Sequence, residues 1–193
     1  AGISNTSVAY KAAQLLFSQT NSPKTIAVCA ATAAATAALA NTMLTDKGWR
    51  QLIVVTDGES PSTPAAISTL VEALDGKMYF ANLPVDDKTS ITVSGLRRTV
   101  LFYCTPTDDY PVPVAALVGN TAGLSAGSFT YKNMVLSGIK PQDLTDSEIE
   151  AIHKKGGITF VTKAGDNVTS EGKVAGGEYI DIIDSEDYII QQL

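Results

Sequence analysis

The sequence predicts an α/β chain: a largely parallel or mixed sheet flanked by helices in the first half, then an α+β C-terminal part with a long loop between its last strands. Three observations carry this. Continuous apolar runs such as QLIVVT at 51–56 suit strands covered on both faces by helices. Segments of helical spacing alternate with those runs, the order of a parallel sheet with crossover connections. Thr145, followed three residues later by Glu148, has the spacing of a capping box and opens a short helix between two extended segments.

In chain order, Val8, Ala12, Leu15 and Leu16 recur at helical spacing within 7–19, with Asn5 or Thr6 available as a cap and Asn21-Ser22-Pro23 as a stop. Residues 25–30 read as a buried strand. The alanine-rich stretch 31–44 reads as a helix in close contact with a neighbour, ended by Gly48. After the strand at 51–56 comes the turn Asp57-Gly58-Glu59. Thr63 as cap, Pro64 at the first helical position, the stripe Ile67, Leu70, Val71 and Leu74, and Gly76 as stop define the next helix. Strands are expected at 77–83 and 99–105.

Residues 106–113, with three prolines and two aspartates, are the one internal joint, dividing residues 1–106 from 107–193; the two portions can pack as one compact unit. Beyond it a helical turn or two is expected over 114–119, a glycine-rich loop over 120–127 and a strand over 128–136. The capped helix spans 146–155, with Lys154 and Lys155 at the negative end of its dipole and Gly156 ending it. Strands follow at 158–163 and 178–183, separated by a polar, glycine-punctuated excursion over 164–177. The final DYIIQQL reads as the first turns of an amphipathic helix that stops short, so a fragment of a longer chain is expected.

The composition is that of an ordinary globular chain. With 45% hydrophobic and 18% charged residues, 193 residues suffice for a core. The net charge of −6, with no basic cluster longer than Arg97-Arg98 and Lys154-Lys155, argues against a nucleic-acid partner. Cys29 and Cys104 fall in apolar runs and read as small buried hydrophobes in a reducing compartment. No stretch reaches the roughly 18 apolar residues of a membrane helix, and AGISNTS lacks signal-peptide character, so a soluble chain made in the cytosol is expected, with no direct membrane insertion.

Signals for chemistry are sparse. Asp57, with Glu59, lies just past the carboxyl end of a predicted strand, where parallel α/β folds place ligands, although D-G-E equally fits a turn. His153, the sole histidine, sits near a helix end, where an imidazolium suits the dipole. No C-x-x-C pair, glycine-rich dinucleotide fingerprint or P-loop is present. Gly119-Asn120-Thr121-Ala122-Gly123 follows a helix rather than opening one. Asp86-Asp87 and Asp108-Asp109 read as solvated surface, and the sequon Asn167-Val168-Thr169 reads as chance. No cofactor, metal site or catalytic residue is expected.

The run DLTDSEIEAIHKKGGITFVTKAGDNVTSEGKVAGGEYIDII resembles the C-terminal part of contractile-tail sheath proteins of bacteriophages and R-type bacteriocins, in which a D-L-T-x-x-E helix leads to a strand and then to a T-S-E-G-K-x-x-x-G-E-Y-I-D segment. The preceding VPVAALVGNTAGLSAGSFTYKNMVLSGIKPQDL is similar to the same family. The likeness covers residues 113–187, and AYKAAQLLFSQTNSPKTIAV matches the family's earlier α/β portion more loosely.

The resemblance implies a structural subunit of a phage, prophage or bacteriocin tail that polymerises with copies of itself around an inner tail tube, contacts baseplate proteins and contracts. Its location would be the virion tail, or a phage-like particle, assembled in the bacterial host cytoplasm. Subunit contacts are expected in the loops, at Asp166, Asn167, Thr169, Ser170, Glu171 and Lys173 first and at Asn120 and Ser125 second. The alternative is a flavodoxin-like enzyme or small-ligand binder with its site near Asp57.

Overall fold

The computed structural model describes residues 4–26, 28, 49–55, 64–86 and 95–192. Within them the chain runs α1 (Val8–Phe17), β1 (Gln51–Ile53), α2 (Pro64–Glu72), β2 (Met78–Leu83), β3 (Thr99–Tyr103), α3 (Val114–Thr121), α4 (Asp146–Lys154), β4 (Gly157–Lys163), β5 (Asp166–Thr169) and α5 (Ile180–Gln192). Among the described residues one five-stranded sheet is ordered β1-β2-β3-β4-β5. The first four strands are parallel and β5 returns antiparallel along β4, giving the α/β fold with a mixed sheet flanked by helices. The sheet continues across the proline-rich joint, because Leu101, Phe102 and Tyr103 pair with Gly157, Ile158 and Thr159.

Strand alternation divides the core in two. Met78, Phe80, Val100, Phe102, Ile158 and Phe160 face one side, where α1, α3, Tyr131, Ile180 and Ile183 cover them. Tyr79, Ala81, Leu83, Leu101 and Tyr103 face the other, against Ile67 and Val71 of α2 and Ile152 of α4. Burial on both faces is why these strands read as continuous apolar runs. Cys104 is fully buried, and burial pushes its thiol up to about 12, so it is the inert hydrophobe its setting predicts. Cys29 and the alanine-rich stretch 31–44 lie outside the described residues.

The helix signals hold, with small shifts at the ends. Ser7, rather than Asn5 or Thr6, caps α1 by accepting the Tyr10 N–H. At α4 the capping box is present: the Thr145 hydroxyl accepts the Glu148 N–H, and the Glu148 carboxylate accepts the Thr145 N–H at 2.8 Å. Gly156 then takes φ +70° and ends the helix. Helix α3 extends two residues beyond the expected 119, and all eight of its residues are buried beneath α1 and against the sheet.

Four expectations are corrected. Residues 164–177 are not a continuous loop, because Ala164 and Gly165, at φ 52° and 95°, form a two-residue hairpin turn and residues 166–169 pair back on β4. Asp and Asn are poor strand formers, which hid this strand. Residues 128–136 are not a strand: Asn133 takes φ 59°, and only Val135 bridges to Val168. Residues 178–183 are not a strand: Tyr179 makes only an isolated bridge to Lys173, and residues 180–183 open α5, with Ile180 and Ile183, three apart, buried on one side. Of the strand expected at 25–30, the described Ile26 and Val28 are exposed and lie outside the sheet.

Candidate functional site

The hairpin and the strap that follows it contain most of the residues expected at subunit contacts, and the fold divides them. Asp166 and Asn167 are exposed at the hairpin tip, where the Thr162 hydroxyl donates to Asn167 Oδ1 at 2.8 Å. Thr169 is fully buried and serves the fold: its hydroxyl donates to the Tyr131 carbonyl at 2.6 Å and accepts the Met134 N–H at 2.8 Å. Ser170 is buried too, its Oγ accepting the Thr159 N–H at 3.1 Å. Glu171 is half-buried and pairs with Lys132 at 3.4 Å. Lys173 holds its ammonium 5.0 Å from the centre of the Tyr179 ring.

The second expected loop also divides. Asn120 is not in a loop; it is buried near the end of α3, donating to the Val135 carbonyl at 3.0 Å and accepting from Asn21 at 3.2 Å. Ser125 is exposed in a turn closed by its carbonyl and the Ser128 N–H. The exposed-loop expectation is therefore corrected for Thr169, Ser170 and Asn120, whose polar groups are used within the chain. Asp166, Asn167 and Ser125 remain open to a partner.

Asp57 and Glu59 lie outside the described residues. His153 Nε2 lies 2.9 Å from the Ser170 hydroxyl, a pairing that sequence separation concealed. This is not an accessible nucleophile, because Ser170 is only 6% exposed. Asp86, Asp108 and Asp109 are exposed, as expected for solvated surface. Among the described residues no cluster of three or more His, Cys, Asp or Glu side chains could hold a metal, and no helix is long and apolar enough to cross a membrane.

Burial lowers the His153 pKa, Glu171 opposes that, and Lys132, Lys173 and Lys163 add to it. The folded chain therefore binds this proton less readily than the unfolded chain. The associated stability is present above the ordinary histidine range and is lost as pH falls through the folded value. Thermal unfolding followed between pH 7 and pH 5 should fall more steeply for the wild type than for His153→Gln; parallel curves would exclude a linked proton at this site.

Four of the large apolar side chains exposed among the described residues lie on α5. Ile180 and Ile183 are buried in its first turn, but Ile182, Tyr188, Ile189 and Ile190 are 52–67% exposed. Charge also ties the helix to the body. Asp184, 4% exposed, lies 2.5 Å from Arg50 and accepts the Tyr131 hydroxyl at 3.2 Å; burial raises its pKa against the pull of Arg50. The Arg98 guanidinium grips Asp187 through two hydrogen bonds of 2.6 and 2.9 Å. Arg97 donates to Glu178 at 2.7 Å and to Glu186 at 2.9 Å. The sequence signal for this assembly was the run Glu178, Asp181, Asp184, Glu186 and Asp187, which contains no base among its residues, set against the pair Arg97-Arg98. Reading residues 178–183 as a strand obscured it.

No family model matches this chain, and no curated protein matches it. Among solved structures it is similar to a chain in the cryo-EM structure of the anti-feeding prophage baseplate, six-fold symmetrised, with a TM-score of 0.67 and 18% identity over 96% of this chain and 56% of that one. It is also similar to a chain in the contracted helical sheath of the same prophage, with a TM-score of 0.59 and 18% identity over 80% of this chain and 48% of that one. This chain thus spans about half the length of each. At that identity what is shared is the fold, an α/β arrangement also found in chains of a phage-like particle's baseplate and sheath.

Proposed function

We propose that this chain is a structural subunit of a contractile, phage-like tail, and within it of the sheath. Copies polymerise around an inner tail tube, meet the baseplate at one end and contract to drive the tube through a cell envelope. The observation that carries this reading is the fold shared with a chain of a contracted helical sheath over 80% of this chain. The TSEGK and GEYID segments, which resemble sheath sequences, support it independently. Work in such an assembly comes from subunits moving between two packed arrangements and requires no catalytic residue or cofactor. The exposure of Asp166, Asn167 and Ser125 supports a role for these residues at subunit contacts.

A second reading, a baseplate component, is favoured by the higher TM-score and the 96% coverage found with the baseplate chain. Electron microscopy of the full parent reading frame separates the two, expressed alone beside this 193-residue chain and, carrying a label, together with the other proteins of its particle. Tubes from the parent support the sheath. Parent protein that forms no tube but labels only the base of assembled particles supports the baseplate. Parent protein absent from particles and dispersed in solution overturns both.

A further inference from the structure

Helix α5 is attached to the body in two different ways along its length. Its first turn is held by burial: Ile180 and Ile183 are at most 1% exposed, and Asp184 is pinned by Arg50 and Tyr131. Its outer turns bury no apolar side chain; Tyr188, Ile189 and Ile190 are all more than half exposed. Among the described residues, Ser185 lies close to the turn at Gly127, and Glu186 and Asp187 tie these turns to the body through ion pairs with Arg97 and Arg98.

The two arginines are themselves held firmly. The Glu72 carboxylate at the end of α2 accepts the backbone N–H groups of Arg97 at 2.9 Å and of Arg98 at 2.7 Å, immediately before β3. Asp75 adds a longer contact to Arg98, at 3.6 Å. One junction therefore joins the end of α2, the start of β3 and the outer part of α5. The two pairs also differ in kind. Arg97 and its carboxylates are about half exposed and so are screened by salt, whereas the Arg98–Asp187 fork is 11% and 14% exposed and is screened little.

We propose that Arg97 and Arg98 form an ionic latch that holds the outer turns of α5, residues 185–192, against the body and lets them open as a unit while the first turn stays docked. Opening would redirect the apolar side chains of Tyr188, Ile189 and Ile190 without unfolding the core. This goes beyond the assembly reading and does not depend on it, since it concerns the isolated chain.

Amide hydrogen exchange of the 193-residue chain tests it. Raising salt from about 0.05 M to about 0.5 M should weaken the exposed pairs and speed exchange over 185–192, leaving the core amides 158–161 of β4 unchanged. Arg98→Met should speed the same amides by about tenfold or more, the scale of losing a charge-assisted pair. Arg98→Lys should fall between, and the swap Arg98→Asp with Asp187→Arg should restore part of the protection. Three results would overturn the proposal: unchanged exchange over 185–192 in high salt and in Arg98→Met, exchange there that rises in step with 158–161, or exchange in wild type already at the rate of an unstructured chain. The salt arm needs no substitution, so a poorly folding variant does not leave the question open.

Discussion

Gly119→Ala is expected to lower stability by about 3 kcal/mol, although glycine to alanine inside a helix ordinarily stabilises by up to about 1 kcal/mol. The reversal follows from the crossing of α1 and α3. A Cβ at Gly119 would lie 2.2 Å from the Leu16 carbonyl oxygen and 2.8 Å from its Cα, and both are backbone atoms in a helix. Neither can rotate away, so the helices must move apart and loosen Ala12, Leu15 and Leu16 from the core. In a chain of this length a loss of about 3 kcal/mol lowers Tm by roughly 6–12 °C. Thermal unfolding measured beside Ala122→Ser, an exposed control expected within about 0.5 kcal/mol of wild type, checks it. An unchanged or raised Tm for Gly119→Ala would mean that the helices do not cross this closely.

Tyr131 is the second position of large effect. It is fully buried, stacks on Phe80 with ring centres 6.1 Å apart and meets Phe129 at 5.1 Å. Its hydroxyl donates to Asp184 at 3.2 Å and accepts from Gln51 at 3.1 Å, linking α5 to the first strand. Burial and the Asp184 charge raise its pKa, so the phenol stays protonated and able to donate at neutral pH. Tyr131→Ala should cost about 3–5 kcal/mol, from lost transfer free energy and the cavity left behind. Tyr131→Phe keeps the ring and should cost about 1–2 kcal/mol, because Asp184 loses a donor while retaining Arg50. Denaturant unfolding of both variants separates ring from hydroxyl. Equal losses would mean that the polar link dominates, and no loss in the phenylalanine variant would mean that the link carries no net stability.

Both positions show where reading the sequence stops. Gly119 was visible only as part of a glycine-containing stretch, and Tyr131 only as an aromatic in a segment expected to be extended. Their weight comes from partners about 100 residues away in one case and 53 in the other, and local spacing carries no information about such partners. Asn120, Thr169 and Ser170 were misplaced for the same reason. Short polar residues favour loops on average, and these three are buried because distant backbone groups satisfy them.

Within the described residues, the α/β class, the helices of the first half, the parallel strands β1 to β4 and the capping box of α4 were all legible before any long-range contact was known. Those features arise from local causes: apolar runs, helical spacing, a hydroxyl and a carboxylate three residues apart, and glycines at helix ends. The course of residues 164–192 depends instead on long-range contacts. There Ala164 and Gly165 turn the chain into a hairpin, and four carboxylates find three arginines far away in sequence. A polar strand at a sheet edge and a helix held by ion pairs both depend on what they meet. Their local propensities are weak, so nothing short of the assembled core could select them.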